Sequence, residues 1–351
     1  MGLDVSIAAG GAAAADLSNG DQVEVHEHIG RPTTYRLRYS LNVENNDFTL
    51  LTDARLDVGA DLSVSVPDGT SSQVLVKGQV YGQRAHFHHG VSDSWLEVIG
   101  GDQTMEMDRT LRQKVWPAQA LSDSISAIIA DYSLTADVAA LSTTTSEETH
   151  LLVQDDSDLR FVRRLARRYG CWFWVTTTPA GDATAHFKRP PLDGKPTITL
   201  KINGSTPNVA ALDLDWDVER PNSAIASQLG LRDKKVMDGH VDRSPLKTLG
   251  KTALADLAAR REVQIVAPVD IVGDLTARAE GALIEADWFI RLRGHASVRS
   301  LGAVLRAHTL VAVEGLGARH SGTYVVASVR HVIDAAAHAM EFELVRNGWG
   351  N

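Results

Sequence analysis

Hydrophobic and polar residues alternate with period two through much of residues 20–115, the pattern of strands with one buried face. Val23 and Val25 alternate with Gln22, Glu24 and His26, and Tyr35, Leu37 and Tyr39 alternate with Arg36 and Arg38. Leu62, Val64 and Val66 repeat the pattern before a turn at Pro67, Asp68 and Gly69. Residues 74–81 and 95–99 read as two more strands, and residues 108–116 as a last extended segment closed by Pro117. About six antiparallel strands at this spacing predict a sandwich or a barrel.

The period then changes. Leu121, Ser122 and Asp123 predict the start of a short helix with Ile125, Ile128, Ile129 and Tyr132 on its inner face. Residues 135–150, rich in Ser and Thr, read as a loop or short strand. Asp155, Asp156, Ser157 and Asp158 offer acceptors to the free N–H groups of a second helix. Leu159, Val162, Leu165, Ala166 and Tyr169 form its apolar stripe, five arginines its other face, and Gly170 its stop. An aromatic strand at 172–175, a turn at 179–182 and a pairing strand through His186 and Phe187 complete an α+β insertion.

Strands return at 198–202, 212–218 and 224–226, and the polar stretch 231–248 reads as a surface loop. Leu275, Ala279, Leu283, Ala286 and Ile290 predict a helix, Gly294 precedes a strand at 296–298, and strands follow at 310–313, 324–332 and 340–345. The expected fold is therefore mainly β with an α+β insertion.

Length and charge narrow the function classes. The 351 residues suffice for two or three cored domains, and 44% hydrophobic with 23% charged residues is a globular composition. A net charge of −9 argues against a dedicated nucleic-acid binder, which needs a cationic surface. The one cysteine, Cys171, rules out an intrachain disulfide and reads as a small buried core residue. Neither a signal peptide nor an apolar run of the roughly 20 residues that span a bilayer is present, so a cytoplasmic location before any assembly is expected.

Candidate chemistry is sparse. His26 and His28 share one face of a strand with no third ligand evident for a zinc site, and His86, His88 and His89 precede a hairpin loop, where solvated histidines are expected. Asp213, Asp215 and Asp217 alternate along the outer face of their strand. Neither they nor the acids before the second helix are completed into an acid–base set. The sequence contains neither Gly-x-Ser-x-Gly nor His-Glu-x-x-His. No enzyme activity, cofactor or metal is expected. The best interaction candidate is the face of Arg160, Arg163, Arg164, Arg167 and Arg168, for which a contact with the Asp213, Asp215 and Asp217 edge of a neighbouring copy and a simply solvated face fit equally.

Two segments carry a family resemblance. The run Gln154-x-x-Ser157-Asp158-x-x-Phe161-x-x-Arg164-Leu165-Ala166-x-x-x-Gly170, followed by aromatic residues, resembles the tail hubs of contractile phages. These are the late control protein D family, the hub portion of VgrG and hubs of extracellular contractile injection systems. Gly322-Thr-Tyr324-Val325-Val326, a strand through His331, and an Arg346-Asn347 end resemble the terminal barrel segment of the same hubs. The resemblance implies two tail-tube-like antiparallel β-barrels flanking the insertion. On that reading residues 1–118 form the first barrel, completed by strands near 196–215; residues 119–195 form the insertion, and residues 216–351 the second barrel with one long helix.

It further implies a structural baseplate hub that, as a homotrimeric ring, joins a sixfold inner tube to a threefold spike. Its partners would be the tube protein above, a separate spike protein below and other baseplate proteins, with no nucleic-acid recognition and no membrane anchor. The alternative from another class is a tail-associated cell-wall hydrolase.

Overall fold

The computed structural model describes residues 3–43, 47–141, 143–145, 151–230, 234–267, 269 and 271–351. The N-terminal strands are β1 (Ser6–Ala9), β2 (Ala12–Ala13), β3 (Gln22–His28), β4 (Thr34–Ser40), β5 (Asp61–Asp68), β6 (Ser71–His86) and β7 (Trp95–Gly101). In β3 and β4 the apolar alternation is what turns Val23, Val25, Tyr35, Leu37 and Tyr39 into the core. The cross-strand register sets Val23 opposite Leu37 and Val25 opposite Tyr35.

Strand β6 is longer than its apolar run predicts. Its first half pairs with β5 and its second with β7, with bulges where the pairing shifts. The crossing brings backbone against backbone: a Cβ on Gly78 would lie 2.1 Å from the Gly101 carbonyl oxygen, so only glycine fits. The predicted extended segment at 108–116 differs. A 3-10 turn occupies Gln103–Asp108 and only β8 (Lys114–Trp116) is a strand, because Asp102 caps the turn by accepting from the Thr104 N–H.

The insertion contains helix α1 (Leu121–Ala130), β9 (Thr135–Val138), β10 (Leu152–Gln154), helix α2 (Asp158–Arg168), β11 (Trp172–Thr177) and β12 (Ala183–Lys188). Helix α1 starts at Ala120 without a side-chain cap, so Ser122 and Asp123 lie inside its first turn rather than capping it. Part of the predicted 135–150 loop is β9, which runs parallel to β12; residues 142 and 146–150 of that stretch lie outside the described residues. Phe173 pairs with Phe187 across β11 and β12, and both are buried with Ile125, Ile129, Phe161 and Leu165 in one core.

Later strands are β13 (Ile198–Lys201), β14 (Leu212–Trp216), β15 (Ser223–Leu229), β16 (Val236–Val241) and β17 (Glu262–Val266). The chain then forms β18 (Ile290–Ser297), β19 (Leu310–Glu314), β20 (Gly322–Asp334) and β21 (His338–Arg346). Short helix α3 (Leu254–Leu257) precedes β17, and α4 (Val272–Ala286) follows it. The predicted surface loop at 231–248 contains β16. Met237 and Val241 turn toward α4, and a Cβ on Gly239 would lie 2.4 Å from the Thr276 nitrogen, so helix and strand pack directly. Ile290, predicted on the helix, opens β18 instead, and Gly294 lies within that strand beside Leu212.

Strands β20 and β3 are hydrogen-bonded neighbours, with Val329 opposite Glu27 and His331 opposite Val25. This pairing makes a single sheet of 13 strands from the two ends of the chain, and its order runs openly from β14 to β2. One apolar core follows it, from Val23 and Leu37 to Ile333 and Leu344. The strands near 196–215, predicted to complete an N-terminal barrel, pair elsewhere: β13 with β19 and β14 with β18. The fold is mainly β, with several sheets and, among the described residues, no closed one.

Candidate interaction surface

Helix α2 shows how the sequence builds the arginine face. Ser157 is its N-cap, accepting from the Arg160 N–H at 3.3 Å, while its hydroxyl donates to Asp108. Of the four predicted capping residues only Ser157 caps through its side chain. Asp156 accepts from the Ser157 N–H at 3.0 Å, and Asp155 pairs with Arg164 at 3.0 Å. Asp158 is buried and accepts from the Tyr132 hydroxyl at 2.7 Å, Gln154 Nε2 at 2.6 Å and Arg112 Nε at 3.0 Å. Gln154 in turn accepts from the Trp116 indole at 3.1 Å. The Gln154, Ser157 and Asp158 motif therefore closes a buried polar network that ties α2 to α1 and β8.

The second motif has the same character. Arg346 is buried and satisfies its guanidinium with the carbonyls of Leu249, Ser321 and Gly350 at 2.8 to 3.1 Å. Asn347 accepts from the Leu249 N–H at 2.9 Å and donates to the Lys247 carbonyl at 3.0 Å. Tyr324 donates to the His320 carbonyl at 2.7 Å. These residues pin the 244–250 and 317–322 segments to the end of the sheet.

The five arginines divide into two groups. Arg160 reaches Asp108 at 3.1 Å and Arg164 reaches Asp155 at 3.0 Å, so both are engaged within the chain. Arg163, Arg167 and Arg168 have no carboxylate within ion-pair distance among the described residues. Burial, with Arg167 and Arg31 nearby, pushes the Arg163 guanidinium below its usual value, and burial beside Arg278 does the same to Arg168. All remain charged at neutral pH. Together the five line an open groove of about 470 Å³.

The predicted acidic counterpart lies at the free edge of the large sheet. Asp213, Asp215 and Asp217 lie on or just after β14; Asp215 is held by Arg293 at 3.1 Å and Asp217 by Arg220 at 3.6 Å. Trp216 beside them is 49% exposed and meets Trp349 edge to face. Helix α2 packs on the 103–108 turn, α4 and β11, so a single chain does not bring the arginine face and this acidic edge together.

Sequence reasoning missed Glu27. The histidines beside it drew attention, and both lie outside the core: His28 contacts the Ile29 carbonyl at 2.6 Å, and His26 meets His28 ring to ring. His86 stacks on Trp95, and the His88 N–H donates to Ser94 Oγ. Glu27 has the inward phase of Val23 and Val25 and is buried, paired with Arg306 at 2.5 Å and accepting from the Ala307 N–H at 2.8 Å. Arg306 also donates to the Val74 and Leu75 carbonyls at 2.8 and 3.1 Å. Burial raises the Glu27 carboxyl, against the pull of Arg306. His331, also fully buried, shares a hydrogen bond with His338 at 3.0 Å; burial and then His338 push it well below the usual imidazole value. The signal for Glu27 was its place in the period-two pattern.

Cys171 is buried, and burial pushes its thiol up to about 12, leaving an unreactive core residue. Among the described residues no three His, Cys, Asp or Glu side chains converge as a metal site, and no helix is long and apolar enough to cross a membrane.

Comparison with known proteins places this geometry. The family model described as the Alg8 N-terminal domain matches residues 3–335. No curated protein matches the sequence. Among solved structures, a tail protein from Neisseria meningitidis MC58 superposes with a TM-score of 0.69 at 15% identity, covering 99% of this chain and 97% of its own. The 43 kDa tail protein of prophage MuSo2 from Shewanella oneidensis gives 0.66 at 14% identity, with 98% of each chain covered. An E. coli component of the type VI secretion system, described as structurally similar to T4 bacteriophage tail proteins, gives 0.58 at 12% identity over 93% of this chain and 73% of that one. This chain has the fold of these tail and secretion-system proteins.

Proposed function

We propose that this chain, which belongs to the family of the Alg8 N-terminal domain, is a structural baseplate hub of a contractile tail or tail-like injection particle, a reading supported by its fold. In this reading a trimeric ring of the chain joins a sixfold inner tube to a separate threefold spike and contacts other baseplate proteins. The observation that carries the reading is end-to-end likeness in fold to a phage tail protein, over 99% of this chain and 97% of that one. The hub motifs at 154–170 and 322–347 support it independently, since each closes a buried network that the fold needs.

In this reading the two halves of the open sheet, residues 1–118 and 216–351, are the counterparts of two tube-like β-barrels flanking the insertion at 119–195. The strands near 196–215 are counted with the second, whose strands they pair with. The subunit contact uses the face of Arg160, Arg163, Arg164, Arg167 and Arg168 against Asp213, Asp215 and Asp217 of the next copy. Repeated head-to-tail contacts of this kind close rings.

Labelling the chain with an affinity tag and imaging gold-decorated particles tests the assignment. Gold at the junction of tube and spike is expected, and gold along the sheath, or none on intact particles, overturns it. Release of peptidoglycan fragments by the purified chain would instead favour a hydrolase.

A further inference from the structure

The free half of the arginine face does not end at the helix. Arg163 and Arg167 also line a second cleft, of about 320 Å³, with His28 and Arg31 from the β3–β4 turn and Trp172 and Phe173 at the start of β11. Arg31 and Arg167 are exposed, and Arg163 is half-buried. Glu285, the one carboxylate in the lining, has no ion pair with these cations among the described residues. Three guanidinium groups thus converge without partners on a chain whose net charge is −9. Mutual repulsion at such a cluster is relieved by an incoming anion, and guanidinium forks favour the two oxygens of a carboxylate.

We propose that this cleft is a docking site for an extended acidic segment of a partner protein, one that alternates carboxylates with apolar side chains. Its carboxylates pair with Arg31, Arg163 and Arg167, and its apolar residues lie along the half-buried Ile29 and the rings of the floor. Lining and net charge favour protein over nucleic acid. Ile29 and Ala166 give the cleft an aliphatic lining that suits apolar side chains, and a net charge of −9 disfavours a phosphate backbone. The inference rests on the contact role proposed for α2; the segment competes for Arg163 and Arg167 with the acidic edge of the next copy, so binding is measured at concentrations where the chain is a monomer.

The test is fluorescence anisotropy of the full chain with a labelled, end-capped Glu-Leu-Glu-Phe-Glu peptide. Saturable binding that weakens with added salt is expected. Reversing the two exposed cations together, Arg31→Glu with Arg167→Glu, should weaken it at least about tenfold, the scale of one strong charge-assisted contact. Arg243→Ala with Arg260→Ala, which removes exposed cations that pair with Asp256 and Glu262 and do not line the cleft, should change it by less than about threefold. No binding, binding indifferent to the Arg31 and Arg167 reversal, or equal affinity for an oligothymidylate of similar length overturns the proposal. Circular dichroism and the melting temperature confirm that each variant is folded. A monomer that does not bind the peptide sinks the cleft even if trimers form at higher concentration, and a chain that binds it yet stays monomeric at every concentration retains the cleft while contradicting the ring.

Discussion

Arg306 and the arginines of α2 carry the same guanidinium group in opposite circumstances. Arg306 is largely buried and spends its donors on Glu27 and on the Val74 and Leu75 carbonyls, so it joins β3, β6 and the segment before β19. The α2 arginines are exposed or half-buried; two are paired with carboxylates, and three have no carboxylate within ion-pair distance among the described residues. Solvent decides what each is worth. Removing one partner of a buried pair strands the other without water, whereas an exposed pair trades one solvated state for another. The first arrangement therefore holds the fold, and the second is available for contact.

The largest effect is expected at the buried pair. Glu27→Ala should destabilise the chain by about 3–5 kcal/mol in urea unfolding, because Arg306 keeps its charge without a counterion. Adding Arg306→Ala should recover part of that loss, and strict additivity of the two changes would contradict their coupling.

Next comes the network under α2. Asp158→Ala leaves the buried Gln154 donor and the Tyr132 hydroxyl without their acceptor, while Arg112 keeps Asp131, and should cost about 2–3 kcal/mol. A loss no larger than that of an exposed aspartate would show that the motif acts elsewhere.

A third prediction concerns pH. Burial holds His338 down to about 4 and His331 well below its usual value. The unfolded chain therefore binds protons that these imidazoles refuse in the fold. Their contribution is fully present above about pH 6.5, the unfolded imidazole value, and is lost as pH falls through the window down to about 4. Glu27, whose carboxyl is raised, has the opposite sign and softens the loss. Melting temperatures across that window should fall for the native chain, and His338→Gln should flatten the slope.

The smallest effect is expected at the surface. Arg164→Ala should change stability by less than about 1 kcal/mol, since its partners Asp155 and Asp156 are also reached by water. A larger loss would erase the contrast with Arg306.

What the sequence made legible was whatever a single element encodes. The stripe and stop of α2 matched α2 closely, as did the aromatic strand β11 and the strands β20 and β21, because period, cap and glycine stop are local signals. Pairing partners were not legible. Nothing near Leu212 says that it will lie against Gly294, and nothing near Val25 names His331 as its neighbour. Strand β16 was missed because its middle, Asp238-Gly239-His240, breaks the apolar pattern and its packing partner α4 lies far along the chain. The Glu27–Arg306 pair spans 279 positions, and a charged residue in an inward phase reads as an exception until its partner is found. The arginine face was legible as a surface, but its division into engaged and free halves depended on where Asp108 and Asp155 fell.

The proposed threefold ring is open to mass photometry of the purified chain over a range of concentrations. The account predicts a species at three times the 37.9 kDa chain mass, with a threefold ring in negative-stain images. A chain that remains at the mass of one or two copies at every concentration would contradict it.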